Sequence, residues 1–200
     1  KQLTLDSFKS SNKIVVVDIE TSAKKPNLGY IVEIGICELD LSTENCTELF
    51  NSLVKEAGFN GSCKDAWIFQ NSDLTFEEVM QAPSFNSLKP ELQKIFSVYP
   101  ATAYNKQFDF NWLRSRGLKI KEVPCPMKVA TPILKLPPKY DWQTDYKWPN
   151  VEEAYSYFYN EIPYKELHRA YDDAVHEAQI VLALYKQGFW KTEVEINDFV

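Results

Sequence analysis

An α/β fold on a mixed sheet, an antiparallel meander followed by parallel strands with helices on both faces, is what three features of this 200-residue chain predict. A continuous apolar run, Ile14-Val15-Val16-Val17, ends in Asp18 and reads as a strand buried on both sides. Two more strand-like stretches, 30–39 and 46–54, are joined by the polar turn AspLeuSerThrGluAsn, the signature of a meander. Beyond about residue 74 the apolar period becomes helical, with short strands between, so helices cover the sheet.

Taken in order, 74–80 and 85–97 read as helices, 102–104 as a short strand, and 107–116 as a helix stopped by Gly117. A weak strand or turn is expected near 125–130, then helices at about 130–136, 150–159 and 167–187. The segment 137–150 reads as the long loop, because its prolines and aromatics follow neither period. There is no internal repeat and no low-complexity segment.

Hydrophobic residues make up 44% of the chain and aromatics 14%, enough to bury a core; the length suits a single domain over 1–200. No apolar stretch approaches the roughly 18 residues of a membrane span, and the first residues lack an apolar signal core. The expectation is a cytoplasmic protein with no membrane partner, although a start at Lys1 leaves a removed leader open. Cys37, Cys46, Cys63 and Cys125 lack the close pairing of structural zinc sites and are expected to be reduced thiols.

A net charge of −6 argues against a protein that coats nucleic acid by neutralising phosphates. The distribution is uneven: residues 101–140 hold eight basic side chains against Asp109 and Glu122. One face could therefore attract a phosphate backbone, while solvated surface charge is the equal alternative.

Three short segments carry candidate chemistry. In IVVVDIET, 14–21, side chains alternate along the strand, so Asp18 and Glu20 point to one side at its end and can share a cation. A strand simply finishing in an acidic turn is the plainer explanation of that pair alone. In TAYNKQFDFNWL, 102–113, a short strand leads through Asn105 into a helix with Asp109 in its first turn, where an acid is ordinary. In HRAYDDA, 168–174, His168 stands at a helix entrance and Asp173 beside a small-residue face, Ala170, Ala174 and Ala178, that would let the helix pack closely on the sheet. A lone histidine there is more often a cap or surface residue.

Together these segments resemble, in order and local detail, the three motifs of the DEDDh (DnaQ-like, RNase T-like) 3′-5′ exonuclease family, over about residues 12–188. Asp-x-Glu-Thr after an apolar strand is similar to the first motif, with TyrIleValGluIleGlyIle like the family's second strand. Tyr-Asn-x-x-Phe-Asp, ending at Asp109, is similar to the second, and His168 with four residues before Asp173 to the third. Ser22, Tyr104 and Ala130 depart from the common pattern, where threonine, histidine and aspartate are usual; none is a ligand or base position.

The resemblance implies an RNase H-like fold and hydrolysis from the 3′ end of single-stranded DNA or RNA, releasing nucleoside 5′-monophosphates. It implies two Mg²⁺ or Mn²⁺ ions, oxygen-ligated, with Asp18 bridging both and Glu20 and Asp173 holding the ion that binds the attacking water. Asp109 would support the second ion and His168 would act as general base. Imidazole titrates near ~6.5 in model peptides, so its neutral form is available at physiological pH. Ile19, Thr21, Asn105 and Phe108 are implied to contact substrate. His176, further along the same helix, is expected to be dispensable. As helix-start aromatics Phe108, Phe110 and Trp112 read first as core; Tyr140, Trp142, Tyr146 and Trp148 in the long loop are better placed to stack on bases, with a core role still the favoured reading. DNA proofreading or repair is the leading substrate reading. An RNase T-like or oligoribonuclease-like exoribonuclease is its rival, and a non-catalytic nucleic-acid-binding module a distant third. Whether the chain forms a homodimer or serves a polymerase or repair partner is left open.

Overall fold

The computed structural model describes residues 12–140, 144–160 and 164–192. Four strands form one sheet in the order β3-β2-β1-β4. β1 (Lys13–Thr21), β2 (Ile31–Asp40) and β3 (Asn45–Leu53) make the antiparallel meander, and β4 (Ala101–Thr102) lies parallel to β1. The apolar run in β1 is central, as its residues require: Ile14, Val15, Val16 and Val17 are all fully buried.

Strand alternation divides β1 between two cores. Val15, Val17 and Ile19 face a cluster with Leu92 and Phe96 of α3 (Phe85–Val98) and Phe110, Trp112 and Leu113 of α4 (Lys106–Ser115). Ile14 and Val16 face the opposite cluster, built from α5 (Pro126–Leu134), α6 (Val151–Phe158) and α7 (Ala170–Lys186). Asp18 and Glu20 continue the second row, so their side chains turn towards α7.

The approach of α7 depends on a glycine. Gly35 pairs with Asp18 across the sheet, and a Cβ on it would lie 2.3 Å from the Ala170 carbonyl carbon and the Tyr171 nitrogen. Any side chain at 35 would push the start of α7 off the sheet at the level of Asp18. Glu33, two residues earlier and buried, accepts from the Ala170 N–H at 3.0 Å and from the Arg169 guanidinium, taking the role of a helix cap.

Two segments differ from expectation. Near 125–130 there is no strand: a single parallel bridge joins Ala101 to Glu122, and α5 starts at Pro126. Proline at the first helical position loses no hydrogen bond, so residues that look like a breaker are a helix start. Between β3 and α3 the chain forms a 3-10 turn at Gly61–Cys63, a short helix α1 (Ile68–Asn71) and α2 (Phe76–Gln81). Val32, Phe59, Ile68, Leu74 and Val79 make a third small core there. The four cysteines are free thiols. Among the described residues no helix is long and apolar enough to cross a membrane.

Candidate active site

Because β4 runs parallel to β1, with Val16 level with Thr102, the turn after β4 delivers the start of α4 to the carboxyl end of β1, where open α/β sheets place their sites. Asp109, in the first turn of α4 and 4% exposed, thereby meets Asp18. From the other side α7 brings Asp173, which is 3% exposed. Asp18, Asp109, Asn105 and Phe108 line one cleft of about 330 Å³, together with Tyr104, Met127, Trp148, Glu166 and Glu177. Ligand atoms of Glu20, His168 and Asp173 lie within 4.8 Å of one another.

Electrostatics make this site costly without a cation. Burial, then the charges of Glu177, Glu20, Asp109 and Asp173, hold the Asp18 carboxyl well above its usual range. Glu20 is pushed up by burial and by Asp173 and Glu33. Burial lifts Asp109 to about 7, against backbone hydrogen bonds that pull it down, one of them to Ile19. Asp18 Oδ2 is buried with no hydrogen-bond partner. Neighbouring cations are spent elsewhere: Lys106 pairs with Glu122 and the Val123 carbonyl, and Arg169 with Glu33 and Asp73. Oxygen-rich, buried and negatively charged, the donor set suits a hard divalent cation.

Asp173 is oriented more firmly than its neighbour. Its Oδ1 accepts from the Tyr164 hydroxyl at 2.5 Å and its Oδ2 from the Arg169 N–H at 3.1 Å. Asp172 is partly exposed and its carboxylate lies 3.5 Å from His176 Nδ1. The ring of His176 stacks on Tyr164 at 3.8 Å, so this histidine braces the residue that orients Asp173. His168 takes a left-handed backbone, φ +54, uncommon for a side-chain-bearing residue and typical of constrained sites. The exposed ring of Trp67 meets it edge-on at 4.8 Å.

Of the other implied contacts, Asn105 is exposed with its side chain outside any cap bond, and Phe108 is half-buried against Trp112. The Ile19 side chain is core, leaving its backbone towards the site. Thr21 Oγ1 donates to the Ala23 carbonyl at 2.8 Å. Phe110 and Trp112 are core as expected. In the long loop Tyr140, Tyr146 and Trp148 are exposed, and Trp148 borders the cleft; Trp142 lies outside the described residues. The Tyr104 hydroxyl bonds the Pro149 and Asn150 carbonyls at 3.1 Å, tying that loop to the second motif. Of the basic residues in 101–140, Lys106 and Arg114 pair with Glu122 and Arg116 with Glu56, leaving the lysines at 119, 121, 128, 135 and 139 exposed.

Sequence reasoning missed Glu177, Tyr164 and Trp67. A signal existed for Glu177, which follows Asp173 by one helical turn. None existed for Tyr164 or Trp67, which reach the site from irregular segments.

Comparison with known proteins gives a consistent picture. A family model described as Exonuclease (RNase T) matches residues 15–181. The 3′-5′ exonuclease DinG of Staphylococcus haemolyticus (strain JCSC1435) is 24% identical over 174 residues, covering 86% of this chain and 18% of that protein. The chain thus spans under a fifth of the curated relative it matches. Among solved structures, the nuclease domain of 3′hExo, a DEDDh family member bound to rAMP, superposes with a TM-score of 0.65 at 15% identity, covering 95% of this chain and 98% of that one. E. coli Exonuclease I in complex with a dA16 oligonucleotide has a TM-score of 0.62 at 14% identity, covering 87% and 41%.

Proposed function

The chain belongs to the RNase T-like exonuclease family of the DEDDh type, and from that premise we propose that it hydrolyses phosphodiester bonds from the 3′ end of single-stranded DNA, releasing nucleoside 5′-monophosphates. The observation that carries this reading is the convergence of Asp18, Glu20, Asp109 and Asp173, with His168, at the carboxyl end of β1. Asp18, Glu20, Asp109 and Asp173 would hold two divalent cations of the Mg²⁺ or Mn²⁺ kind. Bound there, such ions supply activation of water and neutralisation of charge on the phosphoryl and leaving oxygens.

The chain's own residues do the rest. His168 accepts the proton of the attacking water on a ring nitrogen, a contribution of ~10²–10⁴-fold. Its constrained backbone, the Trp67 edge and the anchoring of Arg169 on Glu33 hold that ring in place. Ile19 and Thr21 at the end of β1 flank the terminal nucleotide, and Asn105 and Phe108 meet it from the α4 side. Trp148, exposed at the rim, offers a face to a base.

An RNA substrate is the second reading, favoured by the likeness to a nuclease domain bound to rAMP; the dA16 complex of E. coli Exonuclease I favours the first. The test is degradation of matched 5′-labelled DNA and RNA oligomers with Mg²⁺, Mn²⁺ or chelator. Stepwise shortening of the labelled strand, DNA faster than RNA and none in chelator, is expected. Cleavage in excess chelator, or internal cuts only, would refute the proposal.

A further inference from the structure

Helix α7 carries a second carboxylate into the cleft. Glu177 stands four residues after Asp173, one turn along, so both lie on the face packed against β1. It is 4% exposed, and glutamate is almost never buried so fully unless it is paired. Its Oε2 accepts from the Tyr104 N–H at 3.0 Å, a neutral donor. The leading charges that bear on it, those of Asp109, Asp173 and Glu166, are all negative.

Glu177 also lines the cleft with Asp18 and Asp109, and its charge opposes ionisation of Asp18. Asp18 Oδ2, buried in the same place, lacks any partner. Three carboxylates converging around an unsatisfied oxygen can all ionise only with positive charge between them, because their mutual repulsion in a poorly solvated pocket is strong. We propose that Glu177 is a fifth carboxylate of the metal centre, acting on the cation held by Asp18 and Asp109. The proposal rests on the metal-dependent reading above. The donor set is then more acidic than Asp18, Glu20, Asp109 and Asp173 alone would make it, and ligand charge is a main determinant of divalent-cation affinity.

The competing role is structural, with Glu177 serving only as acceptor for the Tyr104 N–H. Glu177→Gln separates the two, since the amide oxygen keeps the acceptor and the substitution removes the charge. Mn²⁺ is titrated calorimetrically into the full chain and the variant, with circular dichroism to check the fold. At least one Mn²⁺ site should weaken by about tenfold or more in E177Q. Binding within about twofold of the parent overturns the proposal and leaves the nuclease reading intact, whereas a parent chain that binds no Mn²⁺ overturns both. Should E177Q not fold, Glu177→Ala, which lets water reach the Tyr104 N–H, should show the same loss. Failure of both to fold would assign Glu177 to holding Tyr104 and overturn the proposal.

Discussion

Replacing Asp109 with asparagine should stabilise the metal-free protein at pH 8 while abolishing hydrolysis. The carboxyl group is 4% exposed, and burial lifts it from 3.8 to about 7. Between those values the native state holds a proton that the unfolded chain has released. Its stability contribution is therefore complete below about pH 4 and lost as the pH rises through about 7. The span corresponds to about 4 kcal/mol, or roughly 8–16 °C of melting temperature for a chain of this size. Asparagine offers its amide oxygen to the same backbone N–H groups without charge. Thermal melts in chelator should therefore differ least for parent and D109N at pH 4 and increasingly as the pH rises, with D109N melting several degrees higher at pH 8. Excess Mn²⁺ at pH 8 should raise the parent far more than the variant. Identical melting of the two proteins at pH 8 in chelator would refute the idea that burial makes a charge at this position costly to the metal-free fold.

Further substitutions probe the other side chains. His168→Ala should lower kcat by about 10²-fold or more while Mn²⁺ affinity stays near the parent value; a parallel loss of Mn²⁺ binding would make the imidazole a ligand, not the base. Asp173→Asn should abolish metal-supported hydrolysis and Asp172→Asn change it only a few-fold, as single-turnover rates would show; the reverse order would displace the third motif by one residue. Tyr164→Phe, which removes the hydroxyl bonded to Asp173, should cost about tenfold in kcat, and a KM change with kcat intact would place Tyr164 in substrate binding instead.

The strands were legible because their residues state their environment directly. Four consecutive branched side chains in β1 admit only burial on both faces, and the meander's polar turn separates two apolar stretches. β4 was harder: Ala101–Thr102 is only two residues long, too short for alternation to register, and its place beside β1 is fixed by non-local hydrogen bonds. The start of α5 was hidden because proline has opposite meanings inside a helix and at its first residue. The turn and short helix around 61–71 depend on packing with Val32 and Phe59, which no local period reveals.

Helix α7 shows where legibility of the site ends. Asp173 could be chosen over Asp172 from sequence because neighbouring residues on a helix point about 100° apart, and the alanine face says which direction is inward. In the structure Asp173 is 3% exposed and Asp172 partly open. One turn further along the same face lies Glu177, beside Ala178, both buried. An acidic residue in a long polar-faced helix has an ordinary explanation until Tyr104 and Asp18 are seen against it. Tyr164 could not be found that way at all. Its ring lies on His176 and its hydroxyl on Asp173, a geometry set by the path of the chain before α7. The carboxylates at the ends of regular elements are therefore written in local periodicity. The groups that orient them come from irregular segments, and their identity follows only from the packing that Gly35 permits when it lets α7 settle against β2.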